Sequence, residues 1–186
     1  DEELHDYEKS LKKDISLKEK NLKDQVDLVK KELSKFKIKP DYKDNIDLSE
    51  NFKNLNKQLE KIKIKNIIED KNKNIIKDKK VGNFVFRQQV LTDFPPKELR
   101  GVIDQGKKDI KDGIIVSIST FEDKVGVAVG LTKELTKKFD AVQLVKIASE
   151  VLGGKGGGGR KDFAQAGGSN KDKIEEVFKT LNSKIN

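Results

Sequence analysis

The residues best placed to do chemistry lie near the carboxyl end of the chain. They are Gly153-Gly154-Lys155-Gly156-Gly157-Gly158-Gly159-Arg160, then Lys161, Phe163, Gln165 and a second glycine pair, Gly167-Gly168. Glycine loses more backbone freedom on folding than any other residue. An ordered run of glycines therefore marks a place where the chain takes positive φ or touches a ligand closely. Successive backbone amides in such a loop can form a concavity for anions, and a helix N-terminus adds a favourable dipole. With Lys155, Arg160 and Lys161 around bare main chain, the chemistry on offer is capture of phosphate rather than bond cleavage. A flexible linker is the competing reading. Against it, Phe163, Ala164 and Ala166 resume buried character at once, so the segment reads as ligand-facing or tightly packed.

The familiar phosphate motifs do not fit. A P-loop requires Gly-Lys followed by Ser or Thr, and here Gly154-Lys155 is followed by Gly156. A dinucleotide fingerprint opens a helix after a first strand, whereas this loop follows a helix late in the chain. Metal and redox chemistry find no ligands: there is no cysteine, and His5 is the single histidine. His5 reads as a solvated helix residue, and no catalytic or metal-binding residue is assigned.

Net charge is +8 with a sequence pI of about 9.3. That balance favours a polyanionic partner, because each lysine near a phosphate releases condensed counterions. All but three of the 40 basic residues (Arg87, Arg100 and Arg160) are lysines, so part of the charge is ordinary surface lysine of an AT-rich coding sequence. Charge alone leaves the question open. No apolar run approaches the roughly 20 residues of a membrane-spanning helix, and the acidic, polar start, DEELHDYEKS, is not a secretory signal. A cytoplasmic location without membrane attachment is expected. The chain starts at Asp1 and lacks methionine, which suggests a piece of a longer protein.

Two regions must position the glycine-rich segment. Up to about residue 80 there is no glycine, and charged residues alternate with single apolar ones; all fourteen glycines follow. Leu11, Ile15, Leu22, Val26, Val29, Leu33 and Phe36 recur at helical spacing. Pro40 breaks that pattern. A second helix is expected from Ser49 as N-cap, carrying Phe52, Leu55, Leu59, Ile62 and Ile67, and over residues 53–80 it holds ten lysines against four acids. The expectation is a helical hairpin or coiled-coil arm over 1–78. Its stripe is too exposed to stay bare. It therefore either self-associates, through Leu22, Val26, Val29, Leu33, Phe52, Leu55 and Leu59, or docks on the rest of a parent protein.

From Val81 the period shortens. VGNFVFRQQV reads as a strand, with Phe84, Phe86 and Gln88 on one face and Val85, Arg87 and Gln89 on the other. Pro95-Pro96 suits entry to a helix, KELRGVIDQGKKDI. IIVSIS and VGVAVGL read as strands joined at Glu122-Asp123-Lys124. Thr132 to Leu152 reads as helix, and after a capping position at Ser169-Asn170 an amphipathic helix closes the chain. This is an α+β or α/β domain over 79–186, a small mixed sheet flanked by helices.

The segment GGKGGGGRKDFAQAGG followed by an amphipathic helix resembles the signature of the DHHA1 domain of alanyl-tRNA synthetases. The order of the preceding strand, helix and strand pair over about 81–186 agrees, and the charged arm agrees loosely. One glycine, Gly159, is extra to the family pattern and lengthens the loop ahead of Arg160.

The resemblance implies the C-terminal, tRNA-binding and oligomerising module of an alanine–tRNA ligase. It would grip the outer corner of tRNA, alanine-specific by family, while upstream domains aminoacylate and edit. ATP, magnesium and zinc would then belong to those upstream domains, with no cofactor in this part. The implied tRNA contacts are Gly154, Lys155, Gly156, Gly157, Gly158, Arg160, Lys161 and Gln165. Phe163 is either a stacking platform or a core anchor, and Gln165 either reads RNA or satisfies buried backbone. Two alternatives stand beside this reading: the substrate-binding DHHA1 domain of a DHH phosphoesterase, and a purely structural oligomerisation module.

Overall fold

The computed structural model describes residues 1–70 and 73–186. It divides into two compact units, Asp1–Lys65 and Asn66–Asn186.

The first unit is a helical hairpin. Helix α1 spans Glu2–Lys35 and α2 spans Leu48–Glu69, the division between units falling within the last turns of α2. Val26, Val29, Leu33, Leu55 and Leu59 are buried together, with Tyr42, Leu48, Phe52 and Ile62 packed around them. The pair thus buries part of its stripe, Val26, Val29 and Leu33, without a partner. Five of the seven residues assigned to oligomerisation are consumed by the hairpin's own core, Phe52 packs on it, and Leu22 is half-buried. The apolar residues left bare lie further toward the N-terminus: Leu4, Tyr7, Leu11 and Ile15 are 63%, 64%, 45% and 50% exposed.

Polar side chains hold the connection between the helices. The buried Asn51 donates to Lys43 O at 2.8 Å and accepts from Lys43 N–H at 2.9 Å. Gln58 accepts from Asp41 N–H and donates to Lys39 O. The cap of α2 is Asp47, whose carboxylate accepts from Glu50 N–H at 2.7 Å, so the expected cap Ser49 lies one residue inside the helix.

The second helix does not continue to residue 80. Lys71 and Asn72, part of that expectation, lie outside the described residues. Strand β1 begins at Asn74 and runs to Val81, turns at Gly82-Asn83, and pairs antiparallel with β2, Phe84–Thr92. Asp78 faces Arg87 across this pair and accepts from its guanidinium through both oxygens, at 2.8 and 3.0 Å. Asp109 accepts a further bond at 3.2 Å. The hydrogen bond that Arg87 donates to Asp78 raises the Arg87 pKa above its ordinary value, against the opposing effect of burial. A cross-strand anchor and a two-residue turn thus make strand of a segment whose lysine content concealed it. The boundary expected at 78/79 moves back accordingly.

Among the described residues, six strands form one sheet in the order β1-β2-β3-β4-β6-β5. β3 is Gly113–Phe121, β4 Lys124–Leu131, β5 Gly157–Gly159 and β6 Phe163–Gly168. Among the described residues only β2 and β3 are parallel, joined over one face by α3, Leu99–Asp109. On that face α3 lies so close that a Cβ on Gly130 would fall 2.2 Å from Ile103 Cγ2. The other face carries the main core. Phe86, Ile114, Val116, Ile118, Val127, Val129 and Ala164 pack there against Leu144, Val145 and Ala148 of α4 (Ala141–Val151) and Val177, Phe178 and Leu181 of α5 (Ile174–Ile185). The expected helix over 132–152 is broken: a 3-10 turn at Lys133–Lys137 precedes α4, whose N-cap is Asp140. Its carboxylate accepts from Val142 N–H at 2.9 Å and so restarts the helix.

Candidate nucleic-acid interface

The glycine-rich segment is an ordered part of the sheet. Helix α4 ends in a Schellman motif: Gly153 N–H donates to Glu150 O at 3.1 Å and Gly154 N–H to Ser149 O at 2.8 Å. Gly153 takes φ +76°, which a residue with a Cβ enters only under strain. Gly154 then passes so near β6 that a Cβ would sit 2.0 Å from Gly167 O and 2.4 Å from Ser149 Oγ. Gly157, Gly158 and Gly159 form β5, the outermost strand, opposite Ala166, Gln165 and Ala164. A Cβ on Gly157 would meet Gln165 O at 2.3 Å, whereas one on Gly158 meets nothing within 4 Å. Close packing thus accounts for Gly154 and Gly157, and Gly158 lies open on the sheet edge.

Sequence reasoning passed over Ser149. Fully buried, its hydroxyl donates to Gly167 O at 2.8 Å and accepts from Gly156 N–H at 3.2 Å. It fastens the loop from the helix side. A serine one turn before a glycine pair in an apolar helix was the available signal.

The turn from β5 to β6 is fixed equally well. Arg160 N–H donates to Phe163 O at 2.6 Å, Ala141 N–H to Lys161 O at 2.9 Å and Leu131 N–H to Asp162 O at 2.9 Å. Lys107 of α3 reaches Asp162 O at 3.0 Å. Lys161 is therefore held against the first residue of α4. Arg160 makes a 3.4 Å pair with Asp162 but stays 67% exposed, too hydrated for the pair to hold it strongly.

The expected contacts do not converge on one anion. Lys155 and Arg160 stand at opposite ends of β5, up to about 16 Å apart at some 3.3 Å per extended residue. Such spacing suits a track of phosphates along an edge rather than a single group. Gln165 is already engaged, donating to Pro96 O at 2.7 Å, which ties β6 to the approach of α3. Of its two readings, the one that satisfies backbone is what the structure supports. Phe163 is half-buried with the Arg100 guanidinium 5.3 Å from its ring centre, so its exposed face is shared with a cation.

Lys161 has neighbours that lie far from it in sequence. It lines a cleft together with Lys137 and Lys138, before α4, and Lys184, on α5. Lys137 pairs with Glu134 at 2.8 Å. Among the described residues, Lys155, Lys138, Lys161 and Lys184 make no ion pair. These ammonium groups are available to a polyanion, and no run or motif in the sequence announced that three of them share a cleft. No group of acidic or histidine side chains suited to a metal ion occurs among the described residues.

The model of the DHHA1 domain family matches residues 82–186. The chain belongs to the DHHA1 family. Its matched part covers the globular unit from the β1–β2 turn onward. The alanine–tRNA ligase of Hyphomonas neptunium is 47% identical over 89 residues, 48% of this chain and 10% of that protein. The alanine–tRNA ligase of Granulibacter bethesdensis is 47% identical over 105 residues, 56% of this chain and 12% of that protein. The chain thus spans about a tenth of the length of these curated relatives. Among solved structures, the C-Ala domain of Aquifex aeolicus alanyl-tRNA synthetase superposes with a TM-score of 0.55 at 34% identity, covering 59% of this chain and 97% of that one. The DHHA1 unit is therefore of the C-Ala type, as the glycine-rich signature suggested, with the mixed sheet and flanking helices expected of it.

Proposed function

We propose that the DHHA1 unit is a tRNA-holding module of an alanine–tRNA ligase, gripping the outer corner of the tRNA so that other domains of that enzyme can aminoacylate and edit. The observation that supports this most is the likeness to a C-Ala domain over nearly the whole of that domain, at 34% identity. The edge strand and its cations suit the task. Lys155, Arg160 and Lys161 address phosphates along an ordered glycine edge, and Gly158 leaves room for close approach of a ribose. Gln165 supports that edge from behind. Such contacts read shape and backbone rather than base identity. Preference for alanine tRNA then belongs to the whole enzyme, and this module alone discriminates weakly. ATP, magnesium and zinc serve the enzyme's other domains.

Fluorescence anisotropy with labelled tRNAs between about 50 and 200 mM salt tests the reading. Affinity should fall steeply with salt, since several phosphates are neutralised, and alanine and other elongator tRNAs should differ only a few-fold. Flat, weak binding to every tRNA would refute it.

A second reading concerns the arm. We infer self-association through the bare residues of α1, Leu4, Tyr7, Leu11 and Ile15, whose 3-4 spacing makes a helical seam. Leu11→Lys with Ile15→Lys should turn an oligomer into a monomer in light scattering; a monomeric parent chain removes the idea.

A further inference from the structure

We propose that the cleft between the first turn of α4, the Arg160–Phe163 turn and the end of α5 is a nucleotide subsite, its lysines holding a phosphate and its apolar wall the attached sugar or base. The proposal rests on the nucleic-acid reading above and deepens it.

The cleft has a volume of about 350 Å³, at the small end of the range of ligand pockets. Its cations come from three separate parts of the chain: Lys138 before α4, Lys161 on the β5–β6 turn, and Lys184 on the last turn of α5. Asp140, which also lines the cleft and caps Val142 N–H, offsets one of these charges, and Glu134 is taken up by Lys137. The lining therefore keeps an excess of positive charge, and a bound dianion relieves the repulsion among its ammonium groups. The helix terminus itself is not the binding device: Ala141 N–H is already given to Lys161 O. That bond fixes the backbone of Lys161 against α4, so one cationic arm of the cleft is preorganised.

The remaining wall is what separates this cleft from ordinary surface lysine. Phe139, Leu144 and Ile147 line it, and the Phe139 ring is held edge-on to Phe84 at 5.9 Å and 67°. A fixed aromatic beside a cluster of cations matches a nucleotide whose phosphate and base diverge from one sugar. Gln143, exposed at the rim, supplies both a donor and an acceptor for a base edge. The nucleotide could be one splayed from a tRNA or a free one, and the two sources give different results.

The test uses the whole chain, ¹⁵N-labelled, titrated separately with inorganic phosphate, AMP, CMP and unfractionated tRNA at low salt. The variants are Lys138→Gln/Lys161→Gln/Lys184→Gln, the same three lysines changed to Arg, and a control with equal charge loss on the arm, Lys9→Gln/Lys12→Gln/Lys13→Gln. AMP should shift the amides of Phe139–Leu144 and Lys161, and inorganic phosphate should shift Lys161 while leaving Phe139 nearly unmoved. The Gln triple variant should keep a folded spectrum, lose AMP binding, bind tRNA at least ~10-fold more weakly, and reduce the salt slope by about 2. The Arg variant should retain most of the tRNA affinity. Equal tRNA affinity in the Gln triple variant and the arm control, with no AMP shifts, overturns the proposal. AMP binding without tRNA binding at any salt supports a free-nucleotide subsite and sinks the tRNA reading alone.

Discussion

Substituting Gly154 and Gly158 separately by alanine distinguishes an ordered glycine strand from a flexible linker, because the same methyl group meets opposite surroundings. At Gly154 a Cβ would lie 2.0 Å from Gly167 O and 2.4 Å from Ser149 Oγ, so main chain has to move by more than an ångström. Overpacking of this kind costs about 1–3 kcal/mol, and more where the neighbour is backbone. At Gly158 nothing lies within 4 Å. There alanine removes backbone freedom from the unfolded chain and stabilises by about 0.5 kcal/mol. The two variants should differ by roughly 1.5–3.5 kcal/mol. Urea unfolding followed through amide resonances of β4 and β6 measures this without interference from the arm's helices. Stability that is equal in both variants, or raised in both as for a linker, would refute the assignment of Gly153–Gly159 to the sheet and its helix cap.

Other perturbations follow from single contacts. Ser149→Ala should cost about 1–3 kcal/mol, because Gly167 O and Gly156 N–H lose a buried partner; hydrogen exchange at Gly156 should accelerate, and unchanged protection there would contradict it. Leu33→Ala, at a fully buried position of the hairpin core, should destabilise the arm by about 2–5 kcal/mol, visible as earlier loss of helical circular dichroism; a normal melt would mean the hairpin is not closed in solution. Arg87→Lys should cost about 1–2 kcal/mol, since lysine cannot fork onto Asp78 while reaching Asp109. Stability equal to the parent in chemical denaturation would show that β1 is not anchored there.

What could be read in the sequence was what local pattern determines. IIVSIS and VGVAVGL are apolar runs of strand length and became β3 and β4. The closing helix was visible in the spacing of Val177, Phe178 and Leu181, which all face the core. β1 was hidden because most of its side chains are solvated: only Asn74 and Val81 are buried, and the lysines between them read as arm. The break before α4 was hidden because Asp140, its capping residue, sits inside a stretch whose apolar periodicity runs on without interruption. For the glycine-rich segment, the residue types announced order and contact but not which contact. Gly154 and Gly157 serve packing, and Gln165 is claimed by Pro96, 69 residues earlier. The lysine cleft was illegible for a stronger reason. Lys138, Lys161 and Lys184 meet only once the sheet and two helices are assembled.

An ordered cationic edge that meets folded RNA is tested most directly by a heteronuclear NMR titration of the chain with tRNA. The amides of Lys155–Gly159, Arg160 and Lys161 should be dispersed and rigid beforehand, then shift or broaden at substoichiometric tRNA while resonances of β3 keep their positions. Sharp, mobile signals from that segment, or tRNA binding that leaves it unperturbed, would contradict it.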